Sequence, residues 1–109
     1  MSTDELNDLE LHDVPLDALV LDFDERALRL RFSCFREEDQ AYEAKELAFY
    51  QVQRVELSAF TLTFAGGGEV ANHRAFAEDG HHGVEFLLMD GLHQQPFTLR
   101  FLYHSCAFQ

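Results

Sequence analysis

The chain has 109 residues with eleven Phe, and its twenty acidic against eight basic residues give a formal net charge of −12. A single domain of this size can bury a core without disulfides or metal. Its charge argues against nucleic acid and anionic membranes as partners. Solubility alone explains such a charge, and basic proteins are the partners that it would attract. Because the first residues lack a signal-peptide pattern and no apolar run reaches the ~20 residues of a membrane span, we expect a cytoplasmic protein.

Residues 1–10 are polar apart from Met1 and two leucines. Ser2 and Glu5 have the spacing of a capping box, which predicts a short helix, while a frayed segment is the alternative. Pro15 ends any such helix, because the residue before a proline favours an extended conformation.

The clearest pattern covers residues 18–35, ALVLDFDERALRLRFSCF, and it predicts a β-hairpin with its turn at residues 24–26. Apolar residues alternate with polar ones in the second arm, as in a half-buried strand. The side chains predicted to point inward are Leu19, Leu21, Phe23, Leu28, Leu30, Phe32 and Cys34. Arg29 and Arg31 lie on the outer face, where we expect them to neutralise carboxylates across the sheet.

The middle of the chain has a weaker pattern. Residues 36–46 are mostly charged and are predicted to be an exposed connection, with one helical turn as the alternative. The apolar residues of 47–57 alternate as in a strand, but the alternation is displaced by one residue near Tyr50–Gln51. This displacement indicates a β-bulge, and a helix over the same residues is the alternative. The alternation over residues 60–64 predicts that this strand continues.

Two predicted breaks follow. Glycines at residues 66–68 would lose too much conformational entropy inside a regular element, so they predict a loop. Residues 70–78 are compatible with either a strand or a short helix, and residues 79–83, DGHHG, are predicted to be a second break.

The last part of the chain predicts two neighbouring strands. Residues 84–89 become apolar on both faces, as in a central strand. Residues 97–104 alternate as a second strand, which is predicted to pair with the first and to continue into residues 105–109. The chain is therefore predicted to be mainly β, a single domain over residues 1–109. We expect an antiparallel sandwich or curled sheet of about six to seven short strands with at most one or two short helices. An exposed edge strand would also favour a homodimer.

The candidate metal ligands are histidines in or near the predicted breaks, namely His73, His81, His82 and His93. Zinc takes three or four ligands with tight local spacing, and adjacent residues of an extended chain point in opposite directions. We therefore expect solvated histidines rather than a metal site, and we expect no cofactor.

Other patterns argue against calcium, phosphate or catalysis. The acidic run at residues 22–25 lacks the Gly and Glu of an EF-hand loop, and the glycines lack the Lys and Ser/Thr of a phosphate-binding loop. No serine lies in a Gly-flanked nucleophile turn, and Cys34 and Cys106 lie in strand patterns typical of buried free thiols. We therefore predict no catalytic residue and no enzymatic activity.

Three short motifs suggest relatives: LHD at residues 11–13, LxFxxV at residues 47–52 and EFLLMDG at residues 85–91. Together they resemble a loose group of small uncharacterised bacterial β-rich proteins, some of which are regarded as immunity proteins of polymorphic-toxin loci. The resemblance implies a β-rich fold and, for some members, binding to a toxin, but it carries over no catalytic residue. It does not extend to residues 66–83.

The sequence thus favours a non-enzymatic cytoplasmic domain that binds a basic protein, in the manner of an immunity protein. The alternative is a small-ligand or metal-binding β module with loop histidines at the mouth of an apolar cavity.

Overall fold

The computed structural model describes residues 1–58, 62, 64, 66–91 and 95–109. Its elements in chain order are α1 (Thr3–Asn7), β1 (Pro15–Asp22), β2 (Ala27–Arg36), β3 (Ala41–Tyr50), β4 (Gln53–Ser58), β5 (Gly68–Glu78), β6 (His81–Asp90), β7 (Gln95–Tyr103) and β8 (Ser105–Phe108). The strands form one antiparallel sheet in the order β4-β7-β6-β5-β1-β2-β3-β8. The prediction of a mainly β, antiparallel fold is confirmed. Among the described residues no helix has the length and hydrophobicity needed to cross a membrane.

The sheet folds over on itself to enclose the core. In a flat sheet β3 and β6 would lie roughly 19 Å apart, since they are four strand spacings apart in the order. The ring centroids of Phe49 in β3 and Phe86 in β6 are only 6.1 Å apart, and Phe49 lies 4.8 Å from Phe101 in β7. The fold line is the short pairing of β1 with β5, in which Pro15 and Leu16 face Glu69 and Gly68.

The predicted hairpin is present as β1 and β2, in antiparallel register from Leu19 opposite Leu30 to Asp22 opposite Ala27. The inward side chains of β2 are fully buried from Leu28 to Phe32, as the alternation predicts. The prediction for Phe23 is wrong: its side chain is 89 % exposed. The strand ends at Asp22, so Phe23 belongs to the turn and no longer follows the strand's alternation.

The described residues form eight strands rather than six to seven, because two runs, each predicted as one strand from its continuous alternation, are each divided into two strands. The run after Leu47 ends at Gln51, whose φ of 52° turns the chain away from β3, and the next strand pairs with β7 instead. The predicted bulge is therefore a strand end. The run from Phe97 ends at His104, and residues 105–108 cross to β3 rather than continuing β7. The two corners contact each other, since His104 N donates to Tyr50 O at 3.0 Å.

Several segments of uncertain type are strands. Residues 41–46, predicted as part of a connection, belong to β3, and residues 70–78 belong to β5. Residues 81–83, predicted as a break, open β6, because the ring of Phe76 lies over Gly83 where a side chain would collide with it. The predicted strand over residues 60–64 lies outside the described residues except at Leu62 and Phe64, which are not in a strand.

The segment before β1 is docked rather than frayed. Helix α1 has the predicted capping box, with the Ser2 side chain accepting from Glu5 N, and Leu6 is fully buried in the core. Asn7 binds the open edge of β5: its Nδ2 donates to Ala75 O at 3.3 Å and its Oδ1 accepts from Ala75 N at 2.7 Å. The helix therefore covers an edge that β1 leaves unpaired.

Candidate functional site

Two of the histidines predicted as candidate metal ligands, His73 and His82, have separate structural contacts. The Nε2 atom of His73 lies 2.7 Å from Leu6 O, and its ring stacks on Phe86. His81 and His82 are exposed neighbours in β6, and the ring of His82 stacks on Tyr103. His73 therefore serves the docking of α1.

The structure does not bring His73 together with His81 and His82. His73 faces Phe86, five residues along β6 from His81, which corresponds to roughly 17 Å. His93 lies outside the described residues. No group of three or more His, Cys, Asp or Glu side chains among the described residues is placed to hold a metal ion.

The two cysteines are far apart. Cys34 lies opposite Glu43 and Cys106 lies opposite Phe49, so six residues of β3, or ~20 Å, separate their positions. Such a distance excludes a disulfide without a large backbone movement. Burial raises the pKa of both thiols, which keeps them protonated and weakly nucleophilic at neutral pH.

Tyr103 and Cys106 should make the fold sensitive to alkali. Burial, together with the neighbouring Cys106, raises the pKa of Tyr103 well above its ordinary value of 10.0, and burial raises the pKa of Cys106 above 9.0. Above pH of about 9 the unfolded chain loses these protons while the folded chain retains them, so the free energy of unfolding falls as pH rises. Urea unfolding between neutral pH and pH of about 10.5 measures this slope.

Tyr103→Phe removes one of the ionisations with a raised pKa, leaves those of Cys34 and Cys106, and should flatten the alkaline slope. Tyr42→Phe is the matched control, because it makes the same change in a side chain that is 64 % exposed. An identical slope in Tyr103→Phe and the wild type would contradict the assignment.

The arginines on the outer face of β2 neutralise carboxylates, as predicted from the sequence. Arg29 lies 3.1 Å from Glu25 and 3.3 Å from Glu46, and Arg31 lies 3.1 Å from the other oxygen of Glu46. Arg29 also lies 3.8 Å from Asp22. The contact with Glu25 raises the pKa of Arg29, so this guanidinium stays charged.

Reversing both charges, with Arg29→Glu and Arg31→Glu, should lower the melting temperature because five carboxylates would then crowd this face. The loss should shrink between roughly 10 mM and 1 M salt, since salt screens exposed charges. Thermal unfolding followed by circular dichroism measures both effects. A melting temperature loss that is the same at both salt concentrations would contradict the role of these arginines.

An apolar groove runs beside β1 and is the strongest candidate for a binding surface. At the turn end, residues 21–23 face Val52 and Val55 across a cavity of about 240 Å³. Phe23 is 89 % exposed, and Leu21 and Val55 are each 40 % exposed. Large apolar side chains left in water in one cluster are typical of a surface that binds a partner.

A second cavity lies further along β1, toward its first residue. Residues 16–19 share this cavity of about 200 Å³ with Leu62, Phe64 and Phe97. Phe64 is 81 % exposed. We call the two cavities together the β1 groove, defined by residues 16–19 and 21–23 on one wall and by Val52, Val55, Leu62, Phe64 and Phe97 on the other. Of the nine large apolar side chains that are exposed in the described part of the chain, five line this groove.

The edge of β1 along the groove is open. Ala18–Asp22 pair with β2 on one side. On the other side β1 meets β5 only at Pro15 and Leu16. Within the described ranges no strand pairs with this second edge of Ala18–Asp22.

The charge around the groove is divided. Residues 1–25 contain nine acidic side chains and no Lys or Arg. Asp17 and Asp22 lie on the β1 wall, while Arg26 and Arg54 lie at the turn end. The β1 wall therefore favours cationic groups, and the net charge of the protein reinforces that preference at longer range.

No family model, curated protein or solved structure matches this chain. The resemblance to small bacterial immunity-type proteins stays a prediction. The β1 groove is therefore assigned as the candidate site from its geometry alone.

The β1 groove was not predicted from the sequence. A signal was present at Phe23, which directly precedes Asp24 and Glu25 and so lies where the polar turn begins. At that place the strand ends, so the side chain of a large aromatic residue need not point to the face that the alternation of the strand predicts. The opposite wall has no local signal, because its position depends on contacts with distant residues. Val52 N donates to Arg26 O at 2.9 Å, and Val55 lies in β4, which pairs with β7.

Proposed function

We propose that this protein is a non-enzymatic binding domain whose β1 groove receives part of a basic protein partner. The observation that carries the proposal is the exposed Phe23, Leu21 and Val55 beside an open strand edge. Aromatic and aliphatic anchors at such a site supply most of the binding energy of a protein interface.

The charge supports a basic partner. A net charge of −12 speeds the encounter with a positively charged protein more than it sets the affinity. Neutralising a basic toxin domain, as immunity proteins do, is one form of this function. The groove is lined mainly by apolar side chains, and its charged lining residues include Asp17, Asp22, Arg26 and Arg54.

The small-ligand or metal-binding alternative gains no support from the histidines. His73 contacts Leu6 O, and His81 and His82 are adjacent residues of one extended strand. A homodimer through the β1 edge is disfavoured electrostatically, because it would bring Asp17, Asp22 and Asp24 of two copies together.

The test is a comparison of three bait proteins in a lysate of the host organism. The baits are the wild type, the groove variant Phe23→Ser with Val55→Ser, and the control variant Phe35→Ser with Tyr42→Ser. The control removes the aromatic pair Phe35 and Tyr42, 50 % and 64 % exposed, from the outer face of β2 and β3. Binding of each retained protein is then measured with purified components at low and high salt.

We expect the wild type and the control to bind a protein with a basic face, and the groove variant to bind it at least about tenfold more weakly. The affinity should fall with salt. Retention of no protein by the wild type, or equal binding to the groove variant, would contradict the proposal.

A further inference from the structure

We infer that the partner binds by adding a β-strand to the open edge of β1. Its bound segment is extended, and apolar residues alternate in it with Lys or Arg. This inference rests on the proposed function and specifies how the β1 groove would be filled.

The backbone of β1 provides the first argument. The five residues Ala18–Asp22 stay in regular register with β2, and no strand among the described residues pairs with their second edge. That edge presents a row of N–H and C=O groups about 17 Å long. Such a row is a template for another strand, because each added pair replaces water with a sheet hydrogen bond.

The other edges are less suitable. The edge of β5 is occupied by Asn7, and Cys106 O in β8 accepts from the amino group of Met1 at 3.5 Å. Strand β4 has an irregular register between Gln53 and Glu56, and Arg54 there has a φ of 54°. An irregular edge twists away from a straight partner. In the described part of the chain the second edge of Ala41–Lys45 in β3 is also unpaired, but unlike the open stretch of β1 it lines neither cavity of the β1 groove.

The side chains of β1 set the pattern of the added strand. Residues directly opposite each other in a sheet share a face, so its inward residues would extend the row of Leu19 and Leu21 into the apolar groove. Its outward residues would lie beside Asp17 and Asp22 on the face that carries Ser33, whose Oγ contacts Asp17 at 2.6 Å. Apolar residues therefore fit inward and cationic residues fit outward.

The probe is a capped peptide of alternating valine and lysine, about seven residues long, which is an ordinary strand length. Its acidic counterpart has glutamate in place of lysine. Two further versions of the basic peptide are N-methylated at alternate residues, one version at the valines and one at the lysines. A strand uses only alternate N–H groups to pair along one edge, so one N-methylated version keeps the pairing edge intact and the other does not.

The full-length protein labelled with ¹⁵N is titrated with each peptide, and amide exchange is followed across Ala18–Asp22. We expect the basic peptide to shift these amides and to slow exchange at alternate residues of the stretch, namely those whose N–H does not face β2. The acidic peptide should bind at least about tenfold more weakly. One N-methylated version should retain the affinity of the basic peptide, and the other should lose at least about tenfold.

Three results would overturn the inference. The first is that about 1 mM basic peptide shifts no amide signal of Ala18–Asp22. The second is that both N-methylated versions bind with equal affinity. The third is that the protein without peptide sediments as a dimer in which all these amides exchange slowly. The second result would mean docking by side chains alone and would leave the proposed function standing. Loss of lysate binding with intact peptide binding would instead contradict the proposed function.

Discussion

Replacing Phe49 with Ala is expected to lower the free energy of unfolding by about 3–5 kcal/mol, the usual cost of truncating a buried Phe. Phe49 is fully buried, and its ring meets Phe86, Phe101 and Tyr103 from the other half of the folded sheet. Among the described residues, strand pairing joins the two halves only where β1 meets β5. Elsewhere they are held together by aromatic contacts of this kind and by hydrogen bonds such as that from His104 N to Tyr50 O.

Equilibrium unfolding in urea measures the loss through the midpoint and slope of the transition. Phe23→Ala is the matched control, because it removes the same side chain from an exposed position and should change the free energy by only about 0.5 kcal/mol. Similar losses in the two variants would show that the sheet is not folded over at Phe49.

Leu6→Ala is expected to lower the free energy of unfolding by about 2–5 kcal/mol, which is the usual range for a buried Leu. Leu6 is fully buried although it lies in a helix of only five residues. A helix this short is unstable by itself, so the burial of Leu6 and the hydrogen bonds of Asn7 must hold it in place.

Urea unfolding again gives the magnitude, and amide exchange at Ala75 reports whether Asn7 still covers the edge of β5. Leu87→Ala on the outer face is the matched control and should lose less than half as much, because Leu87 is 37 % exposed. An unchanged midpoint in Leu6→Ala would mean that the segment frays in solution.

The elements with strong local patterns are those that the sequence predicts correctly. The β1–β2 hairpin and the pairing of β6 with β7 follow from alternation between closely spaced segments. The capping box at Ser2 and Glu5 likewise predicts α1, since both of its hydrogen bonds are local. These features need no knowledge of the rest of the chain.

The corners at Gln51 and His104 were missed because alternation shows which face a residue occupies and not which strand lies beside it. At both corners the chain moves from one half of the folded sheet to the other. Strands that change partners at bends are a known way to build an orthogonal packing. The apolar pattern continues across the bend because the residues on both sides face the same core.

The β1 groove likewise combines features that are visible in the sequence with features that arise only in the folded sheet. The acidity of residues 1–25 and the alternation of β1 are properties of the sequence alone. The open edge of Ala18–Asp22, the exposure of Phe23 and the nearness of Val55 exist only after the sheet has folded. The separation of His73 from His81 is also visible only in the fold.

By itself the sequence determined a mainly β chain, its two local strand pairs and its strong negative charge, because these depend on residue type and short spacing. The tertiary structure decided which strands meet, which edge stays open and which apolar side chains remain in water. The physical reason is that pairings such as β4 with β7 and β3 with β8 join residues far apart in the chain. Such pairings are selected by burial of the shared core rather than by any local signal.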